Sequence, residues 1–219
     1  MGNNILMPGD SAGNYDKKWT ETFDLKFLVI WLILFALLLI LTFIYDPNLF
    51  NARHFFLRTA IKLFIMMMLA LGGGMLCRHY CNTDEKGYIT TSKNNWFKVN
   101  YTRKIQHFAA YLVPLLSPPT APLGILPHLW ESLFVLFMFL VLIKPVREFS
   151  TFFMLQFNSL DRVEDRPNTL KWIVLGNMLP GLLIITVFKQ IFETYLSLPL
   201  LASVVVLTVA IGDDLAELV

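Results

Sequence analysis

From Phe27 to Tyr45 the chain reads FLVIWLILFALLLILTFIY, an apolar run without a charged residue. At about 1.5 Å of rise per residue, such a run crosses a bilayer core of roughly 30 Å as one helix. The residues before it hold Asp10, Asp16, Glu21 and Asp24 beside Lys17, Lys18 and Lys26, a pattern unlike a signal peptide. Asp46-Pro47-Asn48 follows and stops the helix. The composition agrees, since of 219 residues 56% are hydrophobic, 14% aromatic and only 16% charged, with mean hydropathy +0.58. A soluble domain carries about 25% charged residues. The formal net charge of +2, with no basic stripe interleaved with aromatics, argues against a nucleic-acid partner. These features predict an all-α fold, a polytopic transmembrane helical bundle. Residues 1–26 would form a polar cytoplasmic tail and residues 27–219 the membrane domain.

Further apolar segments bring the expected count to about six spans. In the second, Arg58 and Lys62 are expected to snorkel from the first turns, leaving Phe64 to Cys77 as the buried core. Gly72-Gly73-Gly74 within it admits a close neighbouring backbone. The third, residues 107–126, is broken by Pro114, Pro118, Pro119 and Pro122, which remove backbone donors and force a kink or a re-entry. The fourth runs from about Trp130 to Ile143 with Glu131 at its edge, the fifth from Trp172 to Phe188, and the sixth from Leu196 to Ile211. Of the 18 Lys and Arg residues, 14 then fall in the tail and in residues 78–106 and 144–171. The other segments keep Arg53, Arg58, Lys62 and Lys189. That bias predicts a multi-pass protein with a cytoplasmic N-terminus, in a bacterial inner membrane or an endoplasmic-reticulum-like one. Cys77 and Cys81 flank His79, but a structural zinc site wants four ligands and no second Cys/His pair lies nearby. Ordinary membrane-edge thiols are the better reading.

Three polar clusters gather at the expected inner face. Arg103-Lys104-Ile105-Gln106-His107 enters the third span, Asp161-Arg162-Val163-Glu164-Asp165-Arg166-Pro167 precedes the fifth, and Gly212-Asp213-Asp214-Leu215-Ala216-Glu217 leaves the sixth. Arg forks match phosphate oxygens and Lys acts as a point charge. Mg²⁺ takes one or two carboxylates plus substrate phosphates, which Asp213 and Asp214 would supply. Phosphoryl transfer needs mainly positioning and charge neutralisation, and this inventory offers both. Each cluster also has a plainer reading. Arg103 and Lys104 suit any inner membrane boundary, Asp161 to Arg166 suits a self-neutralising salt-bridge turn, and Gly212-Asp213-Asp214 suits a helix end. Carboxylates at a helix C-terminus oppose its dipole, which favours the cation reading of Asp213.

Arg103-Lys104-Ile105-Gln106-His107-Phe108 resembles the Arg-Lys-x-x-His element of the CTP-dependent lipid kinases (dolichol kinase, phytol kinase and yeast-type diacylglycerol kinase). Gly212-Asp213-Asp214-Leu215-Ala216-Glu217 is similar to that superfamily's Gly-Asp-x-x-Ala element, also related to the acidic motif of phosphatidate cytidylyltransferases. Asp161 to Leu170 is similar to a stretch of bacterial cytidylyltransferase-like proteins, and the family-like part covers about residues 100–219. The resemblance implies an enzyme that either phosphorylates a lipid alcohol or transfers CMP to a lipid phosphate, with CTP as co-substrate. By it, Asp213 and Asp214 would hold a divalent cation, and Arg103, Lys104, Arg162 and Arg166 would contact phosphate. His107 would sit by the lipid head group, with Asp161, Glu164, Asp165 and Glu217 in support. Asp214 stands where small residues are usual. Relatives continue beyond the acidic motif with a Gly-x-x-x-Gly-Lys type segment, whereas this chain stops at Val219, so a fragment or shortened product is expected. A small transporter, whose proline-broken helix lines a site at membrane depth, and a non-catalytic scaffold subunit are the alternatives.

Overall fold

The computed structural model describes residues 17–94, 96–112, 124–189, 191 and 208. It is mostly helical, and among the described residues three helical segments are long and apolar enough to cross a membrane, namely Phe23–Tyr45, Arg53–Tyr80 and Ile125–Leu142. Pro114, Pro118, Pro119, Pro122, the sixth expected span and Asp213, Asp214 and Glu217 lie outside the described residues.

Helix α1 (Phe23–Tyr45) starts four residues before the apolar run, because Thr22 caps it by accepting the Asp24 amide. Asp24 and Lys26 therefore belong to the helix rather than to the tail. A turn of 3-10 helix over Pro47–Asn51 leads into α2 (Arg53–Tyr80), which is 28 residues long. Ile33, Ile40, Phe43, Leu57, Phe64 and Met75 are among the large apolar side chains these two helices leave uncovered, a surface compatible with lipid.

Helix α4 (Ile125–Met138), continued as 3-10 helix to Leu142, begins five residues earlier than expected. Pro127 is tolerated in its first turn, where no backbone donor is needed. Leu126, expected to end the third span, belongs to this helix instead. Trp31 Nε1 donates to the Leu133 carbonyl at 3.1 Å and Trp130 Nε1 to Thr42 Oγ1 at 2.8 Å, so α1 and α4 pack antiparallel. We call the end where α1 begins the near end, and the opposite one the far end. The chain after α4 is tied there too, since the Lys144 amide donates to Asp24 Oδ2 at 2.7 Å.

The expected all-α reading needs one correction at the near end, where a two-stranded antiparallel hairpin, β1 (Cys81–Thr83) and β2 (Ile89–Ser92), follows α2. Gly87 makes its turn possible, with φ at +88°. Helix α3 (Val99–Leu112) then starts eight residues before His107, so Arg103 and Lys104 lie within it. It is amphipathic in the inverted sense. Tyr101, Ile105 and Phe108 are 39%, 56% and 39% exposed, whereas Thr102, Arg103 and Gln106 on the opposite side are 2%, 9% and 6% exposed. A polar face turned inward and an apolar stripe turned outward is the arrangement that lipid selects.

Two short helices, α5 (Lys144–Arg147) and α6 (Thr151–Asn158), fill the segment expected to be a loop. Helix α6 crosses α2 at Gly74, where an added Cβ would stand 1.9 Å from the Leu155 carbonyl oxygen. The expected close approach is therefore real at Gly74, while Gly72 faces open space. Helix α7 (Thr169–Lys171) runs through a π-helical stretch, Trp172–Met178, into α8 (Leu179–Lys189), so the expected fifth span is helical but irregular.

Candidate functional site

Helix α3 is pinned to the end of α6 by two donors on one acceptor. Thr102 Oγ1 and Gln106 Nε2 both donate to the Ser159 carbonyl, at 2.8 and 3.3 Å. That carbonyl lies past the last turn of α6 and has no intrahelical partner of its own. One residue on from Thr102, Arg103 Nη1 meets Asp165 Oδ2 at 2.5 Å. Arg162 grips the same carboxylate in fork fashion, Nε to Oδ2 at 3.0 Å and Nη2 to Oδ1 at 3.1 Å. Two of the three sequence clusters thus meet, with Asp165 as the joint between them.

Behind this joint lies a second, fully enclosed pair. Arg166 places Nε and Nη2 at 3.0 and 2.6 Å from Asp161 Oδ2 and donates Nη2 to the Ile89 carbonyl, while Thr169 Oγ1 donates to Asp161 Oδ1 at 2.8 Å. The network ties hairpin, turn and α7 together. Glu164 is exposed, Lys104 and His107 are half-buried, and Arg162 keeps 27% of its side chain accessible. The hairpin has another anchor in Tyr88, which donates to Glu148 Oε1 at 2.6 Å and accepts from Arg147 Nε at 3.1 Å. Burial pushes the Tyr88 phenol well above its usual pKa, opposed by the Arg147 charge, and keeps it a donor. Burial likewise raises the Cys81 thiol. Cys77 and Cys81 are free and buried, and among the described residues no group of three His, Cys, Asp or Glu side chains could hold a metal.

A cavity of about 180 Å³ opens from this cluster into the bundle. Arg103, Gln106, His107 and Gln156 line it near the joint, and Lys62, His128 and Glu131 line it towards the far end. Between them the wall is mostly apolar, with Met66, Val135, Met138 and Leu182 among its side chains and Asn177 brought in by the π-helical stretch. π-Helical turns recur at functional sites. Lys62 does not snorkel outward as expected. Its Nζ turns inward to Glu131 Oε1 at 2.9 Å, and His128 Nδ1 lies 4.0 Å from Glu131 Oε2.

The sequence reading missed Gln156, Asn177 and His128, and it placed Glu131 merely at an edge. The available signal was the isolated polar residue in an apolar run: Gln156 within FFMLQF, and His128 and Glu131 one helical turn apart among aromatics. No protein-family model, curated protein or solved structure matches the chain.

Proposed function

We propose that the protein is a membrane-embedded, CTP-dependent lipid transferase. It would phosphorylate a lipid alcohol (of polyprenol, phytol or diacylglycerol type) or transfer CMP to a lipid phosphate such as phosphatidate. The observation that carries this reading is the joint of Arg103 and Arg162 on Asp165 at the mouth of an apolar cavity. It gathers cations for nucleotide phosphates beside a compartment suited to a lipid. Arg103, Lys104 and Arg162 would neutralise phosphate charge, His107 would stand by the acceptor, and Arg166 with Asp161 would hold the turn in place. Asp213 and Asp214 would bring Mg²⁺, with Glu217 nearby. The topology that goes with the reading has about six spans and a cytoplasmic N-terminus, so the near end faces the cytosol and its CTP.

The test is incubation of the purified protein with Mg²⁺, candidate lipids and CTP labelled at either the α- or the γ-phosphate. Label from the γ-position in lipid supports the kinase and label from the α-position the cytidylyltransferase. Folded protein that puts neither into lipid would sink both. Accessibility labelling of single cysteines at residues 86 and 149 checks the topology, since both must react from the same side.

One observation favours a second reading, a small proton- or solute-coupled transporter. Lys62, Glu131 and His128 place acid–base groups at depth in the bundle, where proton relays are built. Solute flux in proteoliposomes that is lost in Glu131→Gln but kept in Arg103→Ala would favour it over the transferase.

A further inference from the structure

Helix α2 ends in a run of ring contacts that leads onto α3. Tyr80, its last residue, packs against Trp96 and Phe97 with ring centroids 4.9 and 5.0 Å away, and Phe97 meets Tyr101 of α3 at 6.4 Å. Phe97 is buried, whereas Trp96 is 61% exposed. Helix α3 then runs back along α2. Thr102 Oγ1 lies 3.3 Å from Cys77 Sγ, and a Cβ added at Gly73, one turn back on α2, would stand 3.2 Å from Gln106 Nε2, one turn along α3. The exposed stripe of Tyr101, Ile105 and Phe108 therefore starts level with the last turn of α2. At roughly 1.5 Å per residue it reaches about 10 Å back towards the middle of that helix.

With 28 residues α2 rises about 42 Å, enough to carry both its ends past a hydrocarbon core of roughly 30 Å into the headgroup zones. Trp and Tyr gather at that level, the ring at the acyl edge and the polar tip in the wet zone. Trp96 and Tyr101 at the end of α2, with Ile105 and Phe108 beneath them, follow that order. The same stretch carries charge of one sign only. Between Gly87 and Trp130 the sequence holds Lys93, Lys98, Arg103 and Lys104, and no Asp or Glu. Arg103 is taken by Asp165. Lys93 Nζ stays at the end of α2, donating to the His79 carbonyl at 3.1 Å, and Lys98 immediately precedes α3. Both lysines are exposed, and neither has a carboxylate partner among the described residues. The hairpin's acids, Asp84 and Glu85, stand at its turn, the opposite end of the strands from Lys93.

We propose that Trp96 and the α3 stripe, with Lys93 and Lys98, form a docking surface for anionic phospholipids of the near-end leaflet. The lysines meet the headgroup charge, and Ile105 and Phe108 lie along the acyl chains. Charge complementarity selects an anionic headgroup, since a zwitterionic one brings its own cation to the lysines. The descent of the stripe beside a membrane-crossing helix selects lipid over an acidic protein segment, which would meet only the outer end. The surface needs no transfer chemistry and goes beyond the transferase reading.

The experiment uses the full chain in vesicles that mix phosphatidylcholine and phosphatidylglycerol, with bromine on the acyl chains of one lipid at a time. Trp96 emission is taken as the difference between wild type and Trp96→Phe. Each lysine near an anionic surface favours it by up to about fivefold. At low salt, quenching is therefore expected to show a preference of about tenfold for brominated phosphatidylglycerol. Lys98→Gln should cut that preference about threefold, and Lys93→Gln combined with Lys98→Gln should bring it near unity. Lys93 also closes the end of α2, so the single Lys98 variant, which removes no hydrogen bond given to the fold, is decisive. In the Trp96→Phe background, the emission added by Phe108→Trp should be quenched best by bromines deep in the chain, whereas Trp96 responds best to shallow ones.

Equal quenching by the two lipids overturns the proposal, as does a preference that Lys98→Gln leaves unmoved. Absence of quenching at both 96 and 108 would defeat it in favour of water or a protein partner over the stripe. A preference abolished by inorganic phosphate, but not by chloride at equal ionic strength, would assign the lysines to a free anion and defeat it equally.

Discussion

The protein sets two ion-pair sites within its bundle, one enclosed and one part-buried, and builds them on opposite plans. At the near end Asp161 is fully enclosed, and its acceptors are taken by Arg166 and Thr169, five and eight residues along the chain. At the far end Lys62 and Glu131 come from helices 69 residues apart, share a single 2.9 Å contact, and keep 15% and 21% of their side chains accessible. The first site is local, saturated and closed to ligands, so it serves the shape of the turn that carries Asp165. The second is long-range and lines a cavity. A local network fixes a backbone turn, whereas a long-range pair fixes how two helices meet.

The largest expected effect breaks the first site. Asp161→Ala leaves the Arg166 guanidinium buried without its counter-charge, and losing one partner of such a pair costs about 3–5 kcal/mol. Thermal unfolding in detergent should show a large drop in Tm, with the hairpin and α7 released together because both hang on this network. A wild-type melting temperature would refute the closed-scaffold reading of the near end.

Next in size is Gly74→Ala, which drives a Cβ into the Leu155 carbonyl and should cost about 1–3 kcal/mol as overpacking. Gly72→Ala, two residues away in open space, should instead gain up to about 1 kcal/mol of helix propensity. Equal effects of the two would mean that α6 does not cross α2 at Gly74. At the far end, Lys62→Met alone should destabilise, and adding Glu131→Leu should recover most of the loss, because the apolar pair leaves no charge unmatched. Coupling between the two changes, read from a double-mutant cycle, is the sharper measure of this pair.

What was legible in the sequence follows the same division. The apolar runs that became α1, α2 and α4 were plain, since length and hydropathy are local properties. That the 103–107 and 161–166 clusters would meet was also readable, because charge bias put both on one face, and the Arg103–Asp165 contact joins them. The self-neutralising turn considered for Asp161 and Arg166 describes that pair as it sits. Helix α3 was misjudged at its start, because Thr102, Arg103 and Gln106 hide a polar face inside the bundle and flatten the hydropathy that would mark the helix. The inward turn of Lys62 was beyond local reading, since its partner Glu131 is 69 residues away. Pairing across such a distance is a tertiary fact, and snorkelling is the only local prior for a lysine near a helix end.

The smallest expected effect sharpens the contrast from the near end's margin, at Tyr88. Burial raises the folded-state pKa of this phenol above its usual value near 10, so the protonated form is favoured in the folded protein. Below pH 10 folded and unfolded chains both keep the proton, and the contribution of the hydroxyl, about 1 kcal/mol from its bonds to Glu148 and Arg147, is fully present. As pH rises past 10 the unfolded chain loses the proton first, and stability falls by at most about 1.4 kcal/mol per pH unit until the folded phenol also ionises. Tyr88→Phe lacks this term, so its stability deficit relative to wild type should be constant below pH 10 and shrink above it. A deficit that stays flat through the alkaline range would mean that the phenol is not held in a desolvated site. The hairpin would then be a loosely attached appendage rather than part of the closed near-end scaffold.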